Sequence, residues 1–149
     1  MKRDIVMKWF YPNSPEEVWE CLTDADLMGQ WLMKNDFKPV LGHKFQFRAK
    51  PKPAFKWDGI VYCEVTELAP LKRLSFTWRG GPDNTATTLD TVVTWTLQPK
   101  ENGTELTLEH KGFTGTRSYL VSFMMESGWK KHIAKRFARE LEKIAHAKL

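Results

Sequence analysis

Between residues 3 and 10, Ile5, Val6, Met7, Trp9 and Phe10 alternate roughly with charged positions, and this period near 2 predicts a first strand. The run Ser14-Pro15-Glu16-Glu17 then reads as a capping box. The Ser14 hydroxyl is placed to accept from the Glu17 N–H, Glu17 to reach back, and Pro15 takes the first helical position, where a missing N–H leaves no bond unmade. A short helix over about residues 15–22 follows, with Val18, Trp19 and Leu22 on one face. Asp24 caps a second helix, in which Leu27, Met28, Trp31 and Leu32 recur at three- and four-residue spacing.

From residue 35 the period changes from 3.6 to 2. Segments 43–49, 57–68, 71–79, 89–98 and 103–110 read as strands, separated by turn signals at Pro51 and Pro53, Pro70, Gly80-Gly81-Pro82 and Asn102-Gly103. Connections this short exclude parallel crossovers, so the sheet is mostly antiparallel. Phe45 and Phe47 share a face, as do Val61, Cys63 and Val65, then Leu74, Phe76 and Trp78; Leu89, Val93, Trp95 and Leu97 form another row, and Leu106, Leu108 and His110 a last one. After Gly112 and Gly115 the helical period returns: Trp129, Ile133, Phe137, Leu141 and Ile144 mark one face, and Lys130, Lys131, Lys135, Arg139, Glu142 and Lys143 the other. Leu120, Phe123 and Met124 either begin this long helix or form a separate short one, and Gly128 is expected to mark a bend or a close approach to the sheet. These elements predict an α+β fold in which a curved antiparallel sheet of six or seven strands wraps around a long C-terminal helix, with two short helices after the first strand. A curved sheet gripping one helix leaves space at the helix's ends, and such space lined by aromatic side chains is a natural pocket for an apolar ligand.

Composition narrows the class. With 149 residues, 42% hydrophobic and 28% charged, the chain fits one globular domain, expected over residues 1–149, and can bury a core without disulfide or metal staples. The net charge of +5 is unevenly placed: residues 34–56 carry seven basic and one acidic group, residues 128–149 seven and two, and the remainder is mildly acidic. Cys21 and Cys63 are lone thiols without CxxC spacing, which suits a reducing compartment. His43, His132 and His146 stand apart without ligand spacing, so no metal is expected. The N-terminus lacks the apolar run of a signal peptide and no stretch is apolar enough to span a membrane, so a cytoplasmic location is expected.

An ordered set of pieces resembles the START-like superfamily. Val18-Trp19 in a capped helix, Leu22-Thr23-Asp24 leading to Gln30-Trp31, Gly59-Ile60-Val61 with Glu64-Val65, and Arg73-Leu74-Ser75-Phe76-Thr77-Trp78 come first. Gly103-Thr104-Glu105-Leu106-Thr107-Leu108 with His110 and Gly112 follows, and Gly128-Trp129 closes the set. It is most similar to the branch named for the activator of heat-shock protein 90 ATPase, C-terminal-like. The resemblance implies a helix-grip fold with a cavity between sheet and terminal helix, in a superfamily that includes lipid carriers, hormone receptors and polyketide cyclases.

The cavity candidates are Trp31, Phe47, Trp57, Phe76, Trp78, Trp95, His110, Phe123 and Trp129. The tryptophans could stack on a flat or hydrocarbon ligand, although core packing accounts for most of them and one or two at most are expected in a wall. Met28, Met124 and Met125 would give a pocket an adaptable wall or fill core gaps. His110, in phase with Leu106 and Leu108, is either a polar anchor or proton donor for a ligand, or a core histidine bonded to a neighbour. No nucleophile elbow, phosphate loop, HExxH or dinucleotide fingerprint occurs, so no cofactor and no catalytic residue is assigned. The expected function is non-enzymatic binding or carriage of a small apolar or amphipathic molecule. The alternatives are a co-chaperone-like module regulating the heat-shock protein 90 ATPase, for which the basic loop Lys50-Pro51-Lys52-Pro53 with Phe55 is a candidate contact, and a cyclase-like enzyme using the same cavity. In the activator family an additional N-terminal domain supplies chaperone binding, and 149 residues are expected to hold only the START-like domain. Nucleic acid is disfavoured, because the basic faces are not interleaved with exposed aromatics.

Overall fold

A computed structural model describes residues 2–148. Strand β1 (Lys2–Tyr11) is followed by helices α1 (Pro15–Thr23) and α2 (Ala25–Trp31), then by β2 (Lys34–Asn35), β3 (Lys44–Arg48), β4 (Ile60–Ala69), β5 (Arg73–Gly80), β6 (Leu89–Lys100) and β7 (Gly103–Thr114). The strands form one seven-stranded antiparallel sheet in the order β1-β7-β6-β5-β4-β3-β2. This sheet curves around a 33-residue C-terminal helix, the START-like helix-grip arrangement. The helix has three parts: α3 (Gly115–Gly128), a π-helical turn (Trp129–Ile133) and α4 (Ala134–Ala147).

Local chemistry explains the element boundaries. Ser14 Oγ accepts from the Glu17 N–H at 3.2 Å, and Asp24 Oδ1 from the Leu27 N–H at 3.0 Å, so both short helices start at their expected caps. The returning arm of the capping box takes another partner: Glu17 Oε1 accepts from Asn13 Nδ2 at 3.1 Å, and the same amide donates to Leu141 O at 3.2 Å. The cap thereby ties α1 to α4. The largest departures from the periodicity fall at two strand boundaries. β4 starts at Ile60, because residues 52–57 close into their own loop through paired backbone bonds between Lys52 and Trp57 around a 3-10 turn. β7 runs on to Thr114, with Phe113 fully buried.

The core lies between the concave face of the sheet and α1, α2 and α4. Trp31 packs edge-on against both Trp95 and Phe137, with ring centroids 5.8 and 5.0 Å apart, and Tyr11 lies 5.3 Å from Phe137 on its other side. Edge-to-face pairs of this kind suit the aromatic quadrupole as well as burying area. The two halves of the long helix differ. On α4, Phe137 and Leu141 are buried and the cations face water, as an amphipathic period predicts. On α3, only the small residues Ser118 and Ser122 are buried, while Leu120, Phe123 and Met124 are exposed. Leu120, Phe123 and Met124 belong to the long helix rather than to a separate one. Gly128 keeps helical angles, φ −61° and ψ −50°, and a Cβ built there meets nothing within 4 Å, so it marks no close approach to the sheet.

Replacing Phe137 with Ala should lower stability by about 3–5 kcal/mol, since it empties the space between Tyr11 and Trp31. Urea unfolding of both proteins at pH 7 measures this; a loss below about 1 kcal/mol would mean that α4 is not held through this contact.

Candidate functional site

α3 meets the sheet along β1 and β7, and a cavity of about 440 Å³ lies under its other side, within the size range of small-molecule sites. Val61 of β4 and Trp78 of β5 form its sheet wall. Val121, Met124, Met125 and Gly128 of α3 form the helix wall, with Trp129 and Ile133 from the π turn. Leu32 and Met33 close the end below α2, and the loops of residues 49–57 and 80–89 frame the mouth. A glycine helps to set this geometry. At Gly59, with φ +87°, a Cβ would stand 2.5 Å from Ala49 O, so β4 passes the base of the 49–57 loop at a distance only glycine allows. At Gly80 a Cβ would sit in ordinary contact with Trp57, 3.4 Å from Nε1, so the indole packs directly over the β5 backbone. Trp57 Nε1 donates to Ile60 O at 2.8 Å, which fixes the indole there.

Behind this wall runs a buried polar relay. Trp129 Nε1 donates to His110 Nδ1 at 3.1 Å, so Nδ1 carries no proton and Nε2 does. His110 Nε2 lies 2.8 Å from Thr91 Oγ1, which itself donates to Trp78 O at 2.8 Å and can therefore accept from the imidazole. Each polar hydrogen of the relay has an acceptor. His110 is fully buried among Trp78, Phe113 and Trp129, with ring centroids 5.4, 4.6 and 6.0 Å away. Burial lowers its pKa from 6.5 to about 3, because the charged ring would lose its hydration without gaining a counter-ion.

The nine candidates from the sequence separate into four groups. Trp57, Trp78 and Trp129 line the cavity, three tryptophans where one or two were expected. Trp31, Phe47, Phe76 and Trp95 are fully packed core, with Phe47 set 5.5 Å from Trp78 and Trp95 edge-on to Trp129 at 5.7 Å. His110 lies one layer behind the wall, holding Trp129 and, through Thr91, the Trp78 backbone. Phe123 faces outward on α3, where the Arg3 guanidinium stacks 3.9 Å from its ring centroid and also pairs with Glu126. Of the methionines, Met124 and Met125 line the cavity and Met28 is core. Periodicity missed Val121 and Gly128 as cavity residues, and the basic loop with Lys50 and Lys52, read in the sequence as a partner contact, proves to rim the cavity together with Lys56 and Arg117. Arg117 Nη2 donates to Phe55 O at 3.3 Å, bridging α3 to the 49–57 loop across the mouth. Cys21 and Cys63 are both buried and unpaired, and burial pushes both thiols up, which suits packing rather than reactivity.

Comparison with known proteins finds a family model described as "Activator of Hsp90 ATPase homolog 1-like protein" matching residues 12–142. Among solved structures, protein MLL2253 from Mesorhizobium loti is 35% identical, with a TM-score of 0.78, over 97% of this chain and 98% of that one. Protein BH1534 from Bacillus halodurans is 29% identical, with a TM-score of 0.73, over 95% and 99% of the two chains. Aha1 from Colwellia psychrerythraea, solved as a dimer, shares the fold at 21% identity and a TM-score of 0.65, over 85% of this chain and 87% of that one. No curated protein matches the sequence.

The buried imidazole has a consequence for stability. Between pH 6.5 and about 3 the unfolded chain binds a proton at His110 that the folded chain does not. Stability from this group is complete above pH 6.5 and should fall by about 1.4 kcal/mol per pH unit as the pH drops through that window. Urea titrations from pH 7 to pH 4 should show this slope in the wild type and lose it in His110→Gln; equal slopes would place the proton uptake elsewhere.

Proposed function

The chain belongs to the Activator of Hsp90 ATPase homolog 1-like family, and on that premise we propose that it binds or carries a small apolar or amphipathic molecule in the cavity between sheet and long helix. The observation that carries this reading is the cavity itself: about 440 Å³, walled by three tryptophans, three methionines and aliphatic side chains, and reaching the surface between α3 and the 49–57 loop. Rigid indoles from β5, the 49–57 loop and the π turn, with flexible thioethers from α3 and from Met33, suit a ligand whose outline varies. The reading is of binding without chemistry. His110 has both nitrogens engaged and sits behind Trp78 and Trp129, so it acts on a ligand by holding those rings in place. The polar wall groups are the rim cations with Ser118 and Thr88, which suit holding a ligand. No helix among the described residues is long and apolar enough to cross a membrane; the two buried, unpaired cysteines support a cytoplasmic location.

A second reading, contact with a chaperone, is favoured by one observation besides the family description. Phe55 in the basic loop and Leu120, Phe123 and Met124 on α3 are exposed, an arrangement of apolar side chains beside cations that suits a protein partner. Under this reading, added protein raises the ATPase rate of an Hsp90-type chaperone from the same cell, and Leu120→Ser/Phe123→Ser abolishes the rise; an unchanged rate with the wild type removes the reading.

Obstructing the cavity tests the first reading. Gly128 lines it, and helical angles at that position accept leucine, so Gly128→Leu should obstruct the chamber and raise helix propensity by about 1 kcal/mol. Wild type should enhance the fluorescence of the neutral probe N-phenyl-1-naphthylamine, and Gly128→Leu should lose the enhancement while keeping its circular dichroism spectrum. A wild type that leaves the probe dark, or a variant that still binds it, speaks against a ligand chamber under α3.

A further inference from the structure

Four cations line the mouth of the chamber, and no carboxylate does. Lys50, Lys52 and Lys56 come from the loop that frames one side, and Arg117 from the first turns of α3 on the other. None of the four is ion-paired among the described residues, although Arg3, Arg73, Arg79 and Lys111 all are. The acid nearest to the loop in sequence, Asp58, is engaged elsewhere: its Oδ1 accepts from the Ile60 N–H at 3.0 Å and its Oδ2 from the Tyr62 hydroxyl at 2.6 Å. The backbone that carries these lysines is also held in place. Paired backbone bonds between Lys52 and Trp57 close it, the Gly59 contact pins its base, and the Arg117–Phe55 bond ties its tip to α3. An apolar chamber therefore opens through a fixed gate of uncompensated positive charge.

Resting on the reading of this chamber as a ligand site, we propose that it selects an amphipathic anion. The apolar body lies among Trp57, Trp78, Trp129 and Met125, and a single carboxylate or phosphate head stays at the mouth among Lys50, Lys52, Lys56 and Arg117. The geometry separates the two parts by chemistry. The inner wall offers a charged head no partner and would strip its hydration, whereas the mouth offers charge-assisted hydrogen bonds at the boundary with water. Mouth cations are screened by salt, so the preference for anions weakens as ionic strength rises, while burial of the apolar body does not weaken.

Displacement of N-phenyl-1-naphthylamine from the full chain, below micelle-forming concentrations, compares dodecanoate, dodecyl phosphate, dodecanol and dodecyltrimethylammonium. The expected order places one or both anions about tenfold or more tighter than the alcohol, and the cation weakest. Which anion leads tells a carboxylate from a phosphate head. The triple variant Lys50→Gln/Lys52→Gln/Lys56→Gln should bring the anions down to the affinity of dodecanol and leave dodecanol unchanged. Dodecanol binding as tightly as both anions in the wild type overturns the head-group assignment and leaves the chamber reading standing. A triple variant that loses dodecanol and anions alike overturns it too, since the lysines would then shape the site rather than read charge. If neither probe nor any of the four amphiphiles binds, the chamber reading fails and the assignment falls with it.

Discussion

The indole N–H of Trp129 meets Nδ1 of His110, and this bond joins the middle of the long helix to β7, the strand next to the β1 edge of the sheet. From His110 on β7 the relay crosses to Thr91 on β6 and ends on the Trp78 carbonyl of β5, so one helical residue is locked to three neighbouring strands. A buried donor left without an acceptor costs about 1–3 kcal/mol, which favours one orientation of both rings. The position of α3 follows from it. With Trp129 held on the sheet, the helix preceding it continues past the concave face, resting on the β1 and β7 side through Ser118 and Ser122. The space left under that overhang is the chamber.

Much of this fold was legible because its elements announce themselves locally. The Ser14 cap, the change of period at residue 35, and the rows ending in Trp78 and His110 depend on neighbours along the chain, and the structure keeps each of them. The two-residue strand β2 was not separable, because a period of 2 has no meaning over Lys34 and Asn35. The candidate site was less legible for a physical reason. Alternation tells which face of a strand turns inward, but an inward side chain can meet another side chain or a void, and the pattern is the same for both. Phe47 and Trp78 look equivalent in sequence, yet one is sealed in the core and the other borders open space. Phe123 fell outside the site because α3 is apolar on more than one side, so its period does not name a buried face.

Charge required the fold for its meaning. The basic stretch from Lys34 to Lys56 reads as one patch along the chain, but the sheet divides it. Lys44 and Arg48 alternate with the buried Phe45 and Phe47 and so lie on the outer face of β3, while Lys50, Lys52 and Lys56 gather at the chamber mouth. The cations of α4 remain what the amphipathic pattern suggested, the wet side of a packed helix. Only one of the three groups meets an apolar interior.

The π turn between α3 and α4 places Ala134 N–H on Trp129 O, one residue further back than an α-helical bond, and the side-chain phase steps accordingly. In consequence the long helix is two independent alphabets written on one rod. The letters of α4 spell contacts with α1 and α2, and those of α3 spell the inner surface of the chamber. Val121, Met124 and Met125 line the chamber while Phe137 and Leu141 sit in the core, so the two halves of the rod face different surroundings.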